Sequence, residues 1–318
     1  MKKMPAKHSF TLKGVYPQLA QLVALQQYTS MLSLEQVSRT SPTAGNWQSR
    51  IRGRGLDFAE VRRYQPGDDI RSIDWRVTAK TQKTHTRLFT QERERPIILA
   101  ADLRSDMFFG SVNCFKSVTC AAVISALAWV ALKSKDRVGG LVIGDREHIE
   151  LRPKASRKVV LNFIRYLSEF CLKLDSPIAT SAKQDMGQLL LKLKQVAKPG
   201  SEVYIASDFH DLTETNLAQL THLSRHCKIT FLHISDLLEW QLPLDKQLLV
   251  TDGKSTSKLS TSKQNTDLMQ TRAEFLKAIC RPLNIEIIHV STSDDLLSVL
   301  EARFSSTAKL KRGSSLNG

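Results

Sequence analysis

Apolar and polar positions fall into blocks along most of this chain, and from Arg95 onward the blocks have the lengths of strands and helices. Ile97 to Leu103 is a short apolar run, Phe115 to Leu132 a long one and Val138 to Ile143 another short one, which reads as strand, helix, strand. The alternation continues with a strand at His148 to Leu151, helices at Arg157 to Cys171 and Met186 to Val196, and a central strand at Val203 to Ala206. A helix near Asn216 to Leu223, strands at Lys228 to Ile234, Gln247 to Thr251 and Glu286 to Val290, and helices at Leu268 to Cys280 and Asp294 to Phe304 complete the set. Strands separated by helical stretches pair side by side with the helices as crossovers. The expectation is a doubly wound, mostly parallel α/β sheet of the Rossmann type with a small N-terminal lobe.

Ahead of the sheet, Pro17 suits a first helical turn, and Leu19, Leu22, Leu25, Tyr28 and Met31 or Leu32 follow at helical spacing,. The stripe they form needs a cover. The rest of the protein is the expected one, with a partner helix or a membrane surface as the alternative. Ser41 to Asn46 is rich in Ser, Thr, Pro and Gly and reads as a loop,. The expected division is a helix and charged lobe over 1–94, the α/β domain over 95–304 and a basic, frayed tail over 305–318. Thr251 to Asp267, mostly Ser, Thr, Lys and Gly, is expected to be an exposed hairpin or mobile loop,.

Charge narrows the partners. With 46 Lys and Arg against 31 Asp and Glu the net charge is +15, which favours nucleic acid, anionic lipid or an acidic protein face. The five cysteines, Cys114, Cys120, Cys171, Cys227 and Cys280, are scattered singly, as structural thiols of a cytoplasmic protein are. The basic start is followed by no continuous apolar stretch, so no secretion signal is expected. Val118 to Leu132 falls short of the ~20 residues that a membrane span needs, so a buried helix and no membrane span are expected.

Polar residues that directly follow apolar strands are the places where doubly wound sheets hold ligands. The first such strand ends in Asp102-Leu103-Arg104-Ser105-Asp106 and the central one in Ser207-Asp208-Phe209-His210-Asp211. This placement resembles the von Willebrand factor A fold, whose first strand ends in Asp-x-Ser-x-Ser and whose central strand adds an Asp to a bound magnesium. Asp102 and Asp208 match the acidic positions, but Arg104 stands at the first serine and Asp106 at the second. The threonine of the pattern has no clear counterpart, because Thr180, Ser181 and Asp185 compete for its place. An always-charged guanidinium pairs carboxylates bidentately, so Arg104 is expected to replace the metal between Asp102 and Asp208. If a magnesium ion is held, Asp102, Asp106 and Asp208 are its ligands. The alternative is that Asp102 and Asp208 only cap the helices that follow them. A haloacid-dehalogenase-type phosphatase would need an Asp where Arg104 stands, which excludes that chemistry.

Gly53 to Lys80 alternates cations and acids around Phe58, Tyr64, Ile70, Ile73 and Trp75. Pro66-Gly67 suits a type II turn, with Asp68 and Asp69 at its exit within reach of Arg62, Arg63 and Arg71. Gly53-x-Gly55 lacks the preceding strand and the third glycine of a nucleotide loop. The stretch Arg62-Arg63-Tyr64-Gln65-Pro66-Gly67-Asp68-Asp69, followed by Arg71-Ser72-Ile73-Asp74-Trp75, resembles the signature of the bacterial family called domain of unknown function 58. The likeness runs from about Gly45 to the Ser207-Asp208 strand end.

That resemblance implies a cytoplasmic, non-enzymatic protein that works beside a MoxR-type AAA+ ATPase in complex assembly or maturation, with no cofactor. The rim of Asp102, Arg104, Ser105, Asp106, Ser207 and Asp208 would bind the partner, and the block containing Arg62, Tyr64, Asp74 and Trp75 would position the lobe. The competing reading is nucleic-acid binding through Arg50 to Arg95, where twelve Lys and Arg stand among seven Asp and Glu with aromatics between them,. The interspersed acids count against it, since a phosphate-tracking surface presents cations without them. No nucleophile, base and orienting group can be assembled, and of the eight histidines only His210 lies near the rim.

Overall fold

The computed structural model describes residues 10, 12–34, 56–65, 70, 73–91, 95–175, 184–240, 247–251, 256–260 and 263–305. The chain divides into two units, Met1–Arg39 with Arg95–Gly318, and Thr40–Glu94.

The first unit begins with α1 (Leu19–Ala24), which continues as a 3-10 helix over Leu25–Met31. The second unit contains β1 (Leu56–Arg63), α2 (Trp75–Thr81) and β2 (His85–Gln91), with β1 and β2 antiparallel in a register running from Leu56 opposite Gln91 to Arg63 opposite His85. Asp74 caps α2, its Oδ1 accepting from the amides of Arg76 and Val77, both at 3.1 Å, which satisfies two of the amides a helix start leaves open. Within the signature, Arg62 and Arg63 therefore close β1, Tyr64 follows and donates its amide to the Thr84 carbonyl at 2.9 Å, and Trp75 opens α2 with its side chain exposed. Pro66, Gly67, Asp68, Asp69 and Arg71, and with them the expected turn and ion-pair network, lie outside the described residues, as do Gly53 and Gly55.

From Arg95 the chain runs β3 (Pro96–Asp102), α3 (Lys116–Lys133), β4 (Arg137–Ile143), β5 (His148–Lys154), α4 (Arg157–Leu172), α5 (Met186–Val196), β6 (Glu202–Ser207), α6 (Leu217–His226) and β7 (Lys228–Ser235). It ends with α7 (Leu237–Trp240), the hairpin of β8 (Gln247–Thr251) and β9 (Thr256–Ser260), α8 (Lys263–Cys280), β10 (Glu286–Ser291) and α9 (Leu296–Phe304). Six strands form one sheet in the order β10-β7-β6-β3-β4-β5. All its pairings are parallel except that of β4 with β5. This is the doubly wound α/β class, and its strand order reverses between β3 and β6, the place where such sheets open a crevice beyond their carboxyl ends. The stretch expected as a hairpin or loop is a hairpin as far as Ser260, after which α8 starts at Lys263, earlier than the pattern from Leu268 suggested. Of the basic tail only Ser305 is described, bridged to Leu32.

β3 explains why the sheet needs cover on both faces. Alternate side chains of a strand point to opposite sides; Ile97, Leu99 and Ala101 enter a core with α3, α4 and α9, while Ile98 and Ala100 enter another with α5, α6 and α8. On the α4 side the backbone of β4 comes so close to Phe163 that a Cβ on Gly140 would lie 2.4 Å from its ring, so only glycine allows this helix to seat. Every residue of α3 from Lys116 to Ala131 is buried. The helix has the length and hydropathy to cross a bilayer, yet 89% of that window is buried inside the fold.

The cover on the outer side of α3 corrects the expected domain boundary. Leu22 and Leu25, at 1% and 0% exposure, belong to the same core as α3, and the Trp129 indole donates to the Leu22 carbonyl at 3.3 Å. The N-terminal helix is thus part of the α/β unit and not of the charged lobe, because a helix apolar on all sides leaves a face that the sheet alone cannot cover.

Candidate functional site

The ends of β3 and β6 lie side by side, as their register through Ala101 and Ala206 requires. Arg104, only 3% exposed, folds back over β3. Its Nε and Nη2 donate to the two oxygens of Asp102 at 2.8 and 2.6 Å, and its Nη1 and Nη2 to those of Asp211 at 2.5 and 3.1 Å. Nη1 also donates to the Gln184 carbonyl at 3.1 Å. All five guanidinium donors are used, which is the condition for placing this charge in the interior. Burial acts to lower the Arg104 pKa, but the hydrogen bonds and charges of Asp102 and Asp211 outweigh it and raise it. Asp102 further accepts from Ser207 Oγ at 2.7 Å, and Ser207 Oγ in turn accepts the Phe209 amide at 3.0 Å.

Asp208 answers to a different cation. Lys116, the first residue of α3 and 3% exposed, donates to Asp208 Oδ2 and to Glu239 Oε1, each at 2.7 Å. Burial of Asp208 works to raise its pKa, yet the His210 hydrogen bond and the Lys116 charge hold it well below the usual carboxylate range. Its other oxygen faces the His210 ring, with Nδ1 at 3.3 Å, while His210 Nε2 stands 3.6 Å from Asp106. The bond to Asp208 raises the His210 pKa against the effect of burial.

Neighbouring strand ends are tied in the same way. Asp145 beyond β4 accepts from the amide of Ser105 at 3.2 and 3.1 Å and from its hydroxyl at 3.1 Å. Asp236 beyond β7, fully buried, accepts from the amide and hydroxyl of Ser111, from Thr292 Oγ1 and from the Leu238 amide. On the β6 side, Phe209 has φ 53° and is fully buried, its ring stacked on Phe231 with centroids 4.2 Å apart. A bulky residue in the left-handed region is strained, and here packing and Arg272 of α8 hold it: Arg272 Nη2 donates to the carbonyls of Phe209 and Leu212. The resulting turn carries Asp211 back to Arg104 and to the first amide of α5, Met186, at 2.9 Å.

The expected ion-like role of Arg104 is therefore present in a changed arrangement. Arg104 sits on Asp102, but its second carboxylate is Asp211, and Asp208 is held by Lys116. The capping alternative also needs correction: α5 is capped by Asp185, whose Oδ1 accepts the Gln188 amide at 2.8 Å, and neither Asp102 nor Asp208 caps a helix. Thr180 and Ser181 lie outside the described residues. Asp102, Asp106 and Asp208 do not fit a divalent ion. The oxygens of Asp102 accept from Arg104 and Ser207, and Asp208 is bound to Lys116. Among the described residues no cluster of three metal-ligating side chains occurs. Lys116, Glu239 and Arg272 escape a reading of the strand ends alone, whereas Asp145 and Asp236 follow apolar strands and are found by the same rule that singles out Asp102 and Asp208; the only trace of Lys116 is a single charge at the start of an otherwise apolar helix.

Comparison with known proteins supports the sequence resemblance. The family model "Protein of unknown function DUF58" matches residues 60–282. Uncharacterized proteins of Mycobacterium tuberculosis and Mycobacterium bovis are 35% identical over 98 residues, which is 31% of this chain and 31% of theirs, so the match spans about a third of these relatives. Among solved structures, a conserved hypothetical protein BatB from Bacteroides thetaiotaomicron aligns over 70% of this chain and 99% of its own at 11% identity and a TM-score of 0.44. A von Willebrand factor type A protein from Catenulispora acidiphila aligns over 69% of this chain and 42% of its own at 11% identity and a TM-score of 0.35. With the family model covering well over half of its length, the chain belongs to the DUF58 family of proteins of unknown function.

Proposed function

We propose that this protein is a non-enzymatic, cytoplasmic adaptor whose strand-end rim binds a protein partner, and that the partner is an AAA+ ATPase of the MoxR type engaged in complex assembly or maturation. The observation that carries the reading is the pair of internal cations, Arg104 on Asp102 and Asp211 and Lys116 on Asp208 and Glu239. A general base or nucleophilic carboxylate must be able to exchange its proton or attack a substrate near working pH. Carboxylates locked to buried cations do neither, and they also leave no place for a catalytic metal. What they provide is a fixed floor beneath the exposed Asp106 and His210, and a pre-formed surface binds without a large ordering cost. The ATPase comes from the family resemblance, and the cytoplasm fits five buried free thiols.

The test uses purified full chain and a purified MoxR-type ATPase from the same organism in sedimentation velocity. Co-sedimentation that weakens at least tenfold when the half-exposed pair Asp106→Ala, His210→Ala is introduced supports the reading. No association counts against it, as does hydrolysis of a phosphate ester or peptide that Asp102→Ala abolishes. Steeply salt-dependent binding of duplex DNA without any ATPase binding would favour the Arg50 to Arg95 surface instead.

A further inference from the structure

Among the described residues three buried or half-buried cations stand at the carboxyl end of the sheet, and one of them has no ion-pair partner. Arg104 and Lys116 each hold two carboxylates. Arg272 gives Nη2 to the neutral carbonyls of Phe209 and Leu212, its Nε is buried without a hydrogen-bond partner, and its guanidinium lies over the Phe275 ring at 4.8 Å. Among the described residues no carboxylate stands within ion-pair distance of it. Burial lowers its pKa against the more distant charges of Asp211 and Asp208, and it borders a cavity.

The cavity, about 80 Å³, is lined by Arg272 together with Asp208, His210, His233, Ser235, Glu239 and Ala273. Its two acids are already engaged by Lys116. Asp211, the next acid toward Arg272, is committed to Arg104, and Asp106 faces the far nitrogen of His210. Lys116 is thus spent on Asp208 and Glu239, and Asp106 and Asp208 face His210, which leaves the Arg272 guanidinium at the cavity wall with no ion-pair partner among the described residues. A carboxylate entering the cavity would supply one. The volume is about half the roughly 150 Å³ of an engineered cavity that houses benzene, enough for a carboxylate on a short stem and too small for a nucleotide.

We propose that this cavity receives a carboxylate anchored by the Arg272 guanidinium, and that the carboxylate is the side chain of an acidic residue on the docking protein. The site itself stands on the unpaired arginine and the cavity; only the origin of the carboxylate rests on the adaptor reading.

The experiment is a proton NMR titration of the full chain, at fixed ionic strength, that follows the ring resonances of His210 and His233. The probes are acetate, N-acetyl-glutamate α-amide, its neutral glutamine counterpart and inorganic phosphate. Saturable shifts with both carboxylates and none with the glutamine compound are expected, weakened at least tenfold in Arg272→Gln. Ala273→Leu, which fills the cavity and leaves the guanidinium in place, is expected to lose them as well, so a folding defect in the arginine variant does not decide the outcome. No saturable shift with either carboxylate, binding of phosphate alone, or unchanged binding in both variants overturns the site. If the carboxylates bind and the ATPase associates equally with wild type and Ala273→Leu, the assigned origin of the carboxylate is overturned. If they bind and no ATPase associates at all, the adaptor reading fails and the carboxylate site stands.

Discussion

The Arg104 guanidinium lies edge-on to the Asp102 carboxylate, two parallel hydrogen bonds of 2.8 and 2.6 Å joining residues that are 3% and 1% exposed. This fork occupies the carboxylate face that a strand-end metal would otherwise take, and it brings one permanent positive charge where an ion would bring two. The deficit is made up 12 residues after Arg104 by Lys116, which neutralises Asp208 separately. The rim is thereby fixed by covalently attached cations and does not depend on the supply of an ion.

Replacing the guanidinium by an apolar group of similar length should expose how much it holds. Arg104→Met leaves the buried Asp102 and the part-buried Asp211 without their cation, and breaking a buried pair from one side costs about 3–5 kcal/mol. Urea unfolding at neutral pH measures this. A loss below about 1 kcal/mol would mean that the pair is solvated in solution.

Lys116→Met should destabilise strongly at pH 7 and much less in acid. Asp208 has its pKa depressed in the folded protein, so it contributes stability above the unfolded value of about 3.9 and loses that contribution as pH falls toward the folded one. Without Lys116 only His210 opposes the effect of burial, so the Asp208 pKa rises from its depressed position and protonation relieves the variant. The gap between wild type and variant, followed by denaturant unfolding from pH 7 to pH 3, should narrow. A constant gap would show that Lys116 acts by packing and not by charge.

His233 adds to the acid dependence with the same sign, in a higher pH window. Burial and the neighbouring His289, Nδ1 to Nδ1 at 2.9 Å, push its pKa down to about 4. The folded state therefore favours the neutral ring, and this contribution, present above the unfolded value near 6.5, is lost as pH falls from there to about 4. Roughly 3 kcal/mol is at stake over that window for a shift of this size. His233→Gln should flatten the wild-type stability curve there, and a His233 ring resonance that titrates near 6.5 would refute the assignment.

Leu25→Ala tests the corrected boundary. A fully buried leucine in the core around α3 should cost about 2–5 kcal/mol on truncation. Thermal unfolding of the full chain would show a cost near zero if the N-terminal helix did not pack on the sheet unit.

The sheet was readable because its parallel strands are buried on both faces and so appear as continuous apolar runs; β3, β4, β6 and β7 fall within a residue or two of where Ile97, Val138, Val203 and Lys228 open such runs. The N-terminal helix was readable as amphipathic, but its cover was not, because proximity to α3 is a matter of folding over more than 100 residues and leaves no local mark: Leu22 meets Trp129 across 107 positions. At the rim, Asp102, Arg104 and Ser207 were legible from their position after strands. Asp211 was not, because it reaches Arg104 through the left-handed turn at Phe209, and nothing about a phenylalanine signals positive φ. Lys116 likewise reaches Asp208 from 92 positions away.

The most direct test of the central claim is a calorimetric titration of magnesium into the wild-type full chain. If Arg104 and Lys116 already neutralise the strand-end carboxylates, no saturable heat of binding will be found at millimolar magnesium. Tight, stoichiometric uptake that disappears in Asp102→Ala would contradict it.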